Sequence, residues 1–174
     1  MFRGILRREE VIDNWSILIE KGNGKAEEIF KATEHFVKES KAPSLETERK
    51  KIAPGIIRGV LGAKRDFLVV THTGFRLRPY QIFLNARDYG ENLDVSWYLT
   101  YRLPISRVIF SFIPGVRTAS SILGSLDIFD RQDLTAYVTV CHHSALKAVE
   151  KLMLSLNQDP SKIDRKSRGF LGIS

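Results

Sequence analysis

A run of alternating apolar and polar side chains constrains the fold of this chain more than any other feature. It is clearest over residues 94–102, where every second side chain is large and apolar: Val95, Trp97, Leu99 and Tyr101. Successive side chains of a β-strand point to opposite faces of a sheet, so this alternation predicts a strand with one buried face. Residues 88–92, which read Asp-Tyr-Gly-Glu-Asn, are typical of a hairpin loop in front of it.

Period-two patterns and β-branched residues predict further strands on either side. The predicted segments are residues 15–19, 56–61, 66–73, 75–87 and 135–142. In the fourth of these, Pro79 separates apolar odd positions from apolar even positions. Proline has no N–H to donate to a neighbouring strand, so a change of parity at this position predicts one long strand with a bulge or bend.

Two segments have the helical period instead. Over residues 25–39 the apolar side chains recur every three or four positions, with lysine and glutamate on the opposite side. A second apolar stripe predicts a terminal helix over residues 144–156, with Ser144 as its N-cap. The polar segment 40–54 is interpreted as a linker or a short surface helix. The apolar segment 103–129 is left open between a short helix, a loop and an irregular strand.

The order of these elements predicts an α+β fold. Short turns between consecutive strands favour antiparallel pairing, because parallel strands need long crossover connections. We therefore expect a curved, mainly antiparallel sheet packed against two helices in the order β-α-β(4–6)-α. The length of 174 residues predicts a single domain over residues 1–157, followed by a basic tail over residues 158–174.

This element order resembles the helix-grip arrangement of START-like and Bet v 1-like ligand-binding domains, in which a curved antiparallel sheet wraps a terminal helix. The resemblance implies a cavity for an apolar ligand between sheet and terminal helix, in a carrier or a small enzyme. Residues 109–122 would then serve as a lid. The alternative is an ordinary core, since most aromatic side chains of this kind are simply core residues. The candidate cavity residues are Phe83, Trp97, Tyr101, Tyr137 and His142.

Three short motifs contain reactive side chains, and we favour a structural interpretation of each. Gly-Asn-Gly-Lys at 22–25 lacks the spacing of a phosphate-binding loop, so it is interpreted as a turn. Cys-His-His-Ser at 141–144 is interpreted as a buried cysteine at a strand end followed by a helix cap, since neighbouring side chains on a strand diverge. The carboxylates of 127, 130 and 133 lack a calcium-loop pattern and suit a charged turn. No catalytic constellation, metal site or cofactor is predicted, and binding is favoured over catalysis.

The positive charge is concentrated on the predicted strands. The chain has a formal net charge of +7, and residues 54–117 hold nine basic and four acidic side chains, eight of the nine being arginine. Arginine offers a planar fork that suits phosphate or carboxylate, and arginine with tyrosine is a combination used for single-stranded nucleic acid. This pattern predicts a non-enzymatic binding module for an anionic partner: a nucleic acid, a phosphorylated ligand or an acidic protein. The alternative is a solvated outer sheet face. The candidate anion-binding residues are Arg76, Arg78, Arg87, Arg102, Arg107 and Tyr98.

The remaining expectations concern location and assembly. The chain has one cysteine, Cys141, no apolar N-terminal stretch typical of a signal peptide, and no run of about 18 apolar residues. These features predict a soluble, cytoplasmic protein without a transmembrane segment. The apolar segment 103–129 predicts self-association as a homo-oligomer, because exposed apolar patches favour contact with another surface.

Overall fold

A computed structural model describes residues 9–52, 64–102 and 126–174 of the chain. The described part contains five strands, two α-helices and a short 3₁₀ turn over Pro160–Lys162. The strands and helices are, in chain order, β1 (Glu9–Ile19), α1 (Ala26–Glu39), β2 (Leu45–Ile52), β3 (Arg65–His72), β4 (Tyr80–Tyr89), β5 (Asn92–Arg102) and α2 (Ile128–Ser155).

The five strands form one antiparallel sheet in the order β1-β5-β4-β3-β2. Strands β2 to β5 form a meander, which returns β5 to the side of β1. The described sheet is open, with β1 and β2 at its edges. The predicted α+β class and the antiparallel pairing are therefore confirmed, as are the strand predicted over 94–102 and the helix predicted over 25–39. None of the described helices is long and apolar enough to cross a membrane.

One face of the sheet forms the core with the two helices. Trp15 of β1 lies opposite Trp97 of β5 in the antiparallel register, and both side chains are almost completely buried. The alternate residues of β4, from Tyr80 to Ala86, belong to the same core. The period-two pattern thus places the large apolar side chains on the helix-facing side of the sheet.

The predicted strand over 135–142 is wrong, because these residues belong to the middle of α2. Their β-branched content is typical of a strand, yet the buried side chains from Leu134 onward recur at helical spacing. The threonine hydroxyls donate to the carbonyl one turn earlier, Thr135 to Arg131 at 2.9 Å and Thr139 to Thr135 at 2.8 Å. The helix is consequently about twice as long as the sequence pattern predicts.

The N-cap of this helix is also not the predicted one. Ser144 lies inside α2, where its hydroxyl donates to the Val140 carbonyl at 2.8 Å. The N-cap is Asp127, whose side chain accepts from the backbone N–H of Asp130 at 2.8 Å. An aspartate in this position satisfies a backbone donor that the helix itself leaves free.

Two expectations about the meander also need correction. The segment predicted as a linker contains β2, and the strand predicted over 75–87 begins only at Tyr80. Before it, the N–H groups of Leu77 and Arg78 donate to the Gly74 carbonyl at 3.1 and 2.9 Å, which closes a turn. The change of parity at Pro79 therefore marks the end of a turn, not a bend within a strand. The strand predicted over 56–61 lies outside the described residues, as does most of segment 103–129.

The C-terminal residues pack along the outer edge of β1. The Arg168 N–H donates to the Asn14 carbonyl at 2.7 Å, and the Phe170 N–H donates to the Ile12 carbonyl at 3.1 Å. The side chains of Ile163, Ser167 and Ile173 are buried. The segment predicted as a basic tail thus covers a strand edge whose backbone groups would otherwise be unpaired.

Candidate functional site

The predicted arginine surface depends on arginines that share a sheet face, and Arg76 does not lie on a strand. It lies in the turn before β4, where its Nη1 is 2.7 Å from Asp127 Oδ2 and 2.7 Å from Asp130 Oδ2. These two carboxylates lie at the start of α2. Arg76 therefore joins the turn to the helix, and its charge is already balanced inside the protein.

The other described members of the set are spread over both ends of the sheet. Arg87 pairs with Asp94, at 3.1 Å between Nε and Oδ2, and its guanidinium lies 5.5 Å from the ring of Tyr89. Arg102 lies eight residues beyond Asp94 on β5, which is about 27 Å along a strand. The structure thus separates Arg87 from Arg102 by most of the length of the sheet.

Among the described members, Arg78 and Arg102 lie on neighbouring parts of the chain, because the Arg102 N–H donates to the carbonyl of Pro79 at 2.8 Å. Both side chains are exposed. Tyr98 lies near the middle of β5 and is 38% exposed. Arg107 lies outside the described residues. The five described residues of the set therefore do not form one surface, and anion binding stays a prediction for the pair Arg78 and Arg102.

Two of the predicted cavity residues, Trp97 and His142, form a buried hydrogen-bonded network. The Trp97 Nε1–H donates to His142 Nδ1 at 3.0 Å, and His142 Nε2 lies 2.6 Å from the Arg165 carbonyl oxygen. Because Nδ1 accepts, the proton of the neutral ring is on Nε2, which donates to Arg165. Burial lowers the pKa of His142. Both polar groups are satisfied within the protein, so this pair joins the sheet, α2 and the C-terminal segment.

The hydroxyl of Tyr137 also has a hydrogen-bond partner within the protein. This hydroxyl donates to the Val70 carbonyl of β3 at 2.6 Å, and burial raises its pKa well above the ordinary value. Phe83 lies on the other face of the sheet, 6.1 Å from the ring of Phe67, while its neighbours Ile82 and Leu84 are in the core. Its prediction as a cavity residue between sheet and helix is therefore wrong, because odd positions of β4 point away from α2.

The reactive-looking motifs have structural surroundings. Cys141 is buried on α2, not at a strand end as predicted, and desolvation raises the pKa of its thiol. A thiol with a raised pKa is a poor nucleophile. Asp127 and Asp130 hold Arg76, while Asp133 is exposed. Within the described ranges, no three histidine, cysteine or carboxylate side chains are grouped so that they could hold a metal ion.

The side chain that stands out is Tyr80, which the sequence pattern places in the core and not at a site. It is the first residue of β4 and is 1% exposed, yet its hydroxyl has no hydrogen-bond partner among the described residues. Most buried polar groups in proteins are hydrogen-bonded, so such a group needs an explanation. The smaller hydroxyl of Thr33 on α1 is likewise buried without a partner in the described part of the chain.

The surroundings of Tyr80 are aromatic on one side and charged on another. Its ring lies 5.0 Å from the ring of Tyr101, its direct partner on β5. Burial, followed by Tyr101 and Asp130, raises the pKa of Tyr80 to about 12. Leu77, in the preceding turn, is buried as well. We call these three side chains, Tyr80, Tyr101 and Leu77, the Tyr80 site.

The unpartnered hydroxyl determines what the Tyr80 site can do chemically. A tyrosine is protonated at neutral pH even at its ordinary pKa, and burial raises that pKa further, so the hydroxyl is a buried hydrogen-bond donor. Of the predicted cavity residues, only Tyr101 lies here. The alternation that begins at Tyr80 places its ring on the core face, but nothing in the sequence indicates that its hydroxyl lacks a partner.

Comparison with known proteins adds little to this picture. No family model matches the chain, and no curated protein matches it. A crystal structure of the protein TTHA0849 from Thermus thermophilus aligns with 83% of this chain and 98% of its own, at 14% identity and a TM-score of 0.27. A likeness of that extent supports no argument about fold or function.

Proposed function

We propose that the protein binds a neutral amphiphile at the Tyr80 site, between the sheet and the first half of α2. The ligand class is a small molecule with an apolar body and one hydrogen-bond acceptor, such as a carbonyl or hydroxyl oxygen. The unpartnered, buried hydroxyl of Tyr80 is the observation that carries the proposal. This is the carrier function that the helix-grip resemblance implies, restricted to one end of the sheet.

The energetic argument concerns the cost of the free hydroxyl. A buried donor without a partner costs about 1–3 kcal/mol, and an acceptor on a ligand would recover that cost on binding. The other polar groups among the predicted cavity residues offer no such gain, since Trp97, Tyr137 and His142 already have partners inside the protein. A ligand is therefore expected to orient its polar end toward Tyr80.

The charge of the ligand follows chiefly from burial. Burial is the largest cause of the raised pKa of Tyr80, which means that a negative charge is disfavoured at this hydroxyl. A negatively charged ligand would incur the same desolvation cost, whereas a neutral acceptor would not. The proposal is thus for a neutral ligand.

The proposal is tested with three naphthalene probes of similar shape. We expect 2-acetylnaphthalene to bind more tightly than 2-ethylnaphthalene, which has no acceptor, and than 2-naphthoate, which is charged. The substitution Tyr80→Phe removes the donor and should lower the affinity for 2-acetylnaphthalene by about fivefold, the equivalent of one hydrogen bond of ~1 kcal/mol. It should leave the ethyl probe unchanged. Probe fluorescence during titration gives the three affinities.

The matched control is Tyr137→Phe, because it removes a phenolic hydroxyl that already has a partner. This variant should lose stability but keep the preference for the acetyl probe. Circular dichroism shows that each variant is folded before titration. The proposal is refuted if none of the probes binds, or if Tyr80→Phe keeps the wild-type preference for acetyl over ethyl.

A further inference from the structure

Three large apolar side chains are exposed at the end of the molecule where α2 begins. Phe75, in the turn before β4, is 92% exposed, and Ile128 and Phe129, in the first turn of α2, are 69% and 72% exposed. Arg76, the residue after Phe75, holds the turn against the helix here. It pairs with Asp127 and Asp130, which flank the two apolar residues of α2 in the sequence. We call Phe75, Ile128 and Phe129 the apolar tip.

The exposure of the apolar tip is not required by packing of the fold. In the turn it is Leu77 that enters the core, and on α2 the first fully buried side chain is Leu134. The tip side chains therefore cost solubility without contributing to the core. Together they expose about 450 Å² of apolar surface, which is comparable to the largest and often functional patch on a soluble protein.

We propose that the apolar tip inserts into the interface of a lipid bilayer that contains anionic lipids. Its area is about half of the ~800 Å² that each partner contributes to a stable protein interface, so a second copy of the chain would bury too little. A bilayer interface accepts a few aromatic and aliphatic side chains without requiring a complementary surface.

The charges around the tip suit this partner. Arg78 is exposed two residues after Arg76, and a basic side chain next to an inserted apolar group can reach lipid phosphates. Asp127 and Asp130, which would repel an anionic membrane, are both paired with Arg76. The net charge of +7 favours approach to the same surface. The inference is independent of the Tyr80 site, although Asp130 belongs to the surroundings of both.

Flotation with vesicles tests the inference. Vesicles of phosphatidylcholine with a minority of phosphatidylglycerol should carry the wild-type protein upward in a density gradient. The double variant Phe75→Ala, Phe129→Ala should reduce the bound fraction by at least about tenfold, because withdrawing roughly 55 Å² of apolar surface already has that effect and the two exposed rings hold more than this area. Arg78→Gln should weaken binding about fivefold on these vesicles and have no effect on pure phosphatidylcholine.

Two control variants remove exposed apolar surface from parts of the protein that lie away from the apolar tip. Leu154→Ala removes an exposed side chain from the other end of α2, about 37 Å from Phe129, and Tyr89→Ala removes an exposed aromatic ring from the far end of β4. Both should float as the wild type does. The inference is overturned if the double variant floats like wild type, if the controls lose binding equally, or if the tip substitutions instead abolish a dimer in sedimentation equilibrium. The naphthalene titrations should be unchanged in the tip variants, which separates this outcome from failure of the Tyr80 site.

Discussion

Replacing Gly169 by alanine is expected to lift the C-terminal segment off β1. A β-carbon at this position would lie 2.4 Å from Asp13 Cα and 2.5 Å from Asp13 Oδ1. Ordinary contacts between carbon atoms are about 3.5–4.0 Å. The near atom belongs to the backbone of β1, which is paired with β5 on its other side. The strand cannot retreat, so the C-terminal segment has to move.

The magnitude follows from the hydrogen bonds that this movement would break. Three backbone N–H groups of the segment donate to β1, and each bond contributes about 1 kcal/mol net. We therefore expect Gly169→Ala to lower the free energy of unfolding by about 3 kcal/mol. The three bonds are Arg168 to the Asn14 carbonyl (2.7 Å), Phe170 to the Ile12 carbonyl (3.1 Å) and Leu171 to Asp13 Oδ2 (3.1 Å).

Urea unfolding followed by tryptophan fluorescence measures this change. Trp15 is a suitable reporter, because its Nε1–H donates to the Asp164 carbonyl of the same segment at 2.6 Å. Gly172→Ala is the control: Gly172 has a φ of +57° and no atom within 4 Å of an added β-carbon. It should cost about 1–2 kcal/mol from backbone strain and leave the segment in place. The reasoning is refuted if Gly169→Ala unfolds at the wild-type urea midpoint, or if its segment amides keep wild-type protection from hydrogen exchange.

Two further predictions concern buried polar groups. Burial lowers the pKa of His142; His143 and the charge of Arg165 act in the same direction, while Asp13 and the hydrogen bond to Arg165 oppose it. As the pH falls, the unfolded chain therefore takes up the proton before the folded protein does. The free energy of unfolding should then fall below about pH 6.5, by up to ~1.4 kcal/mol per pH unit. Urea midpoints across a pH series measure this, and an equal slope in His142→Gln would contradict it. Tyr137→Phe should cost about 1–3 kcal/mol by leaving the Val70 carbonyl without its partner, and an unchanged urea midpoint would contradict that assignment.

The sheet could be predicted from the sequence because its pattern is local. Strand β5 carries the alternation that its position requires, with Trp97 and Leu99 both on the core face, and short loops before it leave antiparallel pairing as the simple solution. The pairing of β1 with β5 is different in kind. It joins residues that are far apart in the sequence, such as Trp15 and Trp97, so no local pattern predicts it. The pairing forms only when the meander folds back against the first strand.

The terminal helix could not be predicted in full, because two local signals conflict in it. Thr135 and Thr139 favour a strand by intrinsic propensity, and the first residues of α2 are largely exposed, so strand propensity competes with the helical spacing that begins at Leu134. Tertiary packing decides the outcome: Leu134, Tyr137 and Cys141 are buried against the sheet only if the chain is helical there.

The arginine-rich composition is the strongest functional signal in the sequence, and Arg76 shows why such a signal does not locate a site. A charge count treats every guanidinium as available to a ligand. Arg76 instead pairs with Asp127, which also caps α2, and with Asp130, which influences the pKa of Tyr80. The same contact fixes the turn that leaves Phe75 exposed. Two ion pairs of one arginine, between a turn and a helix start, thus remove that arginine from the predicted anion surface and place both the Tyr80 site and the apolar tip at the same end of the sheet.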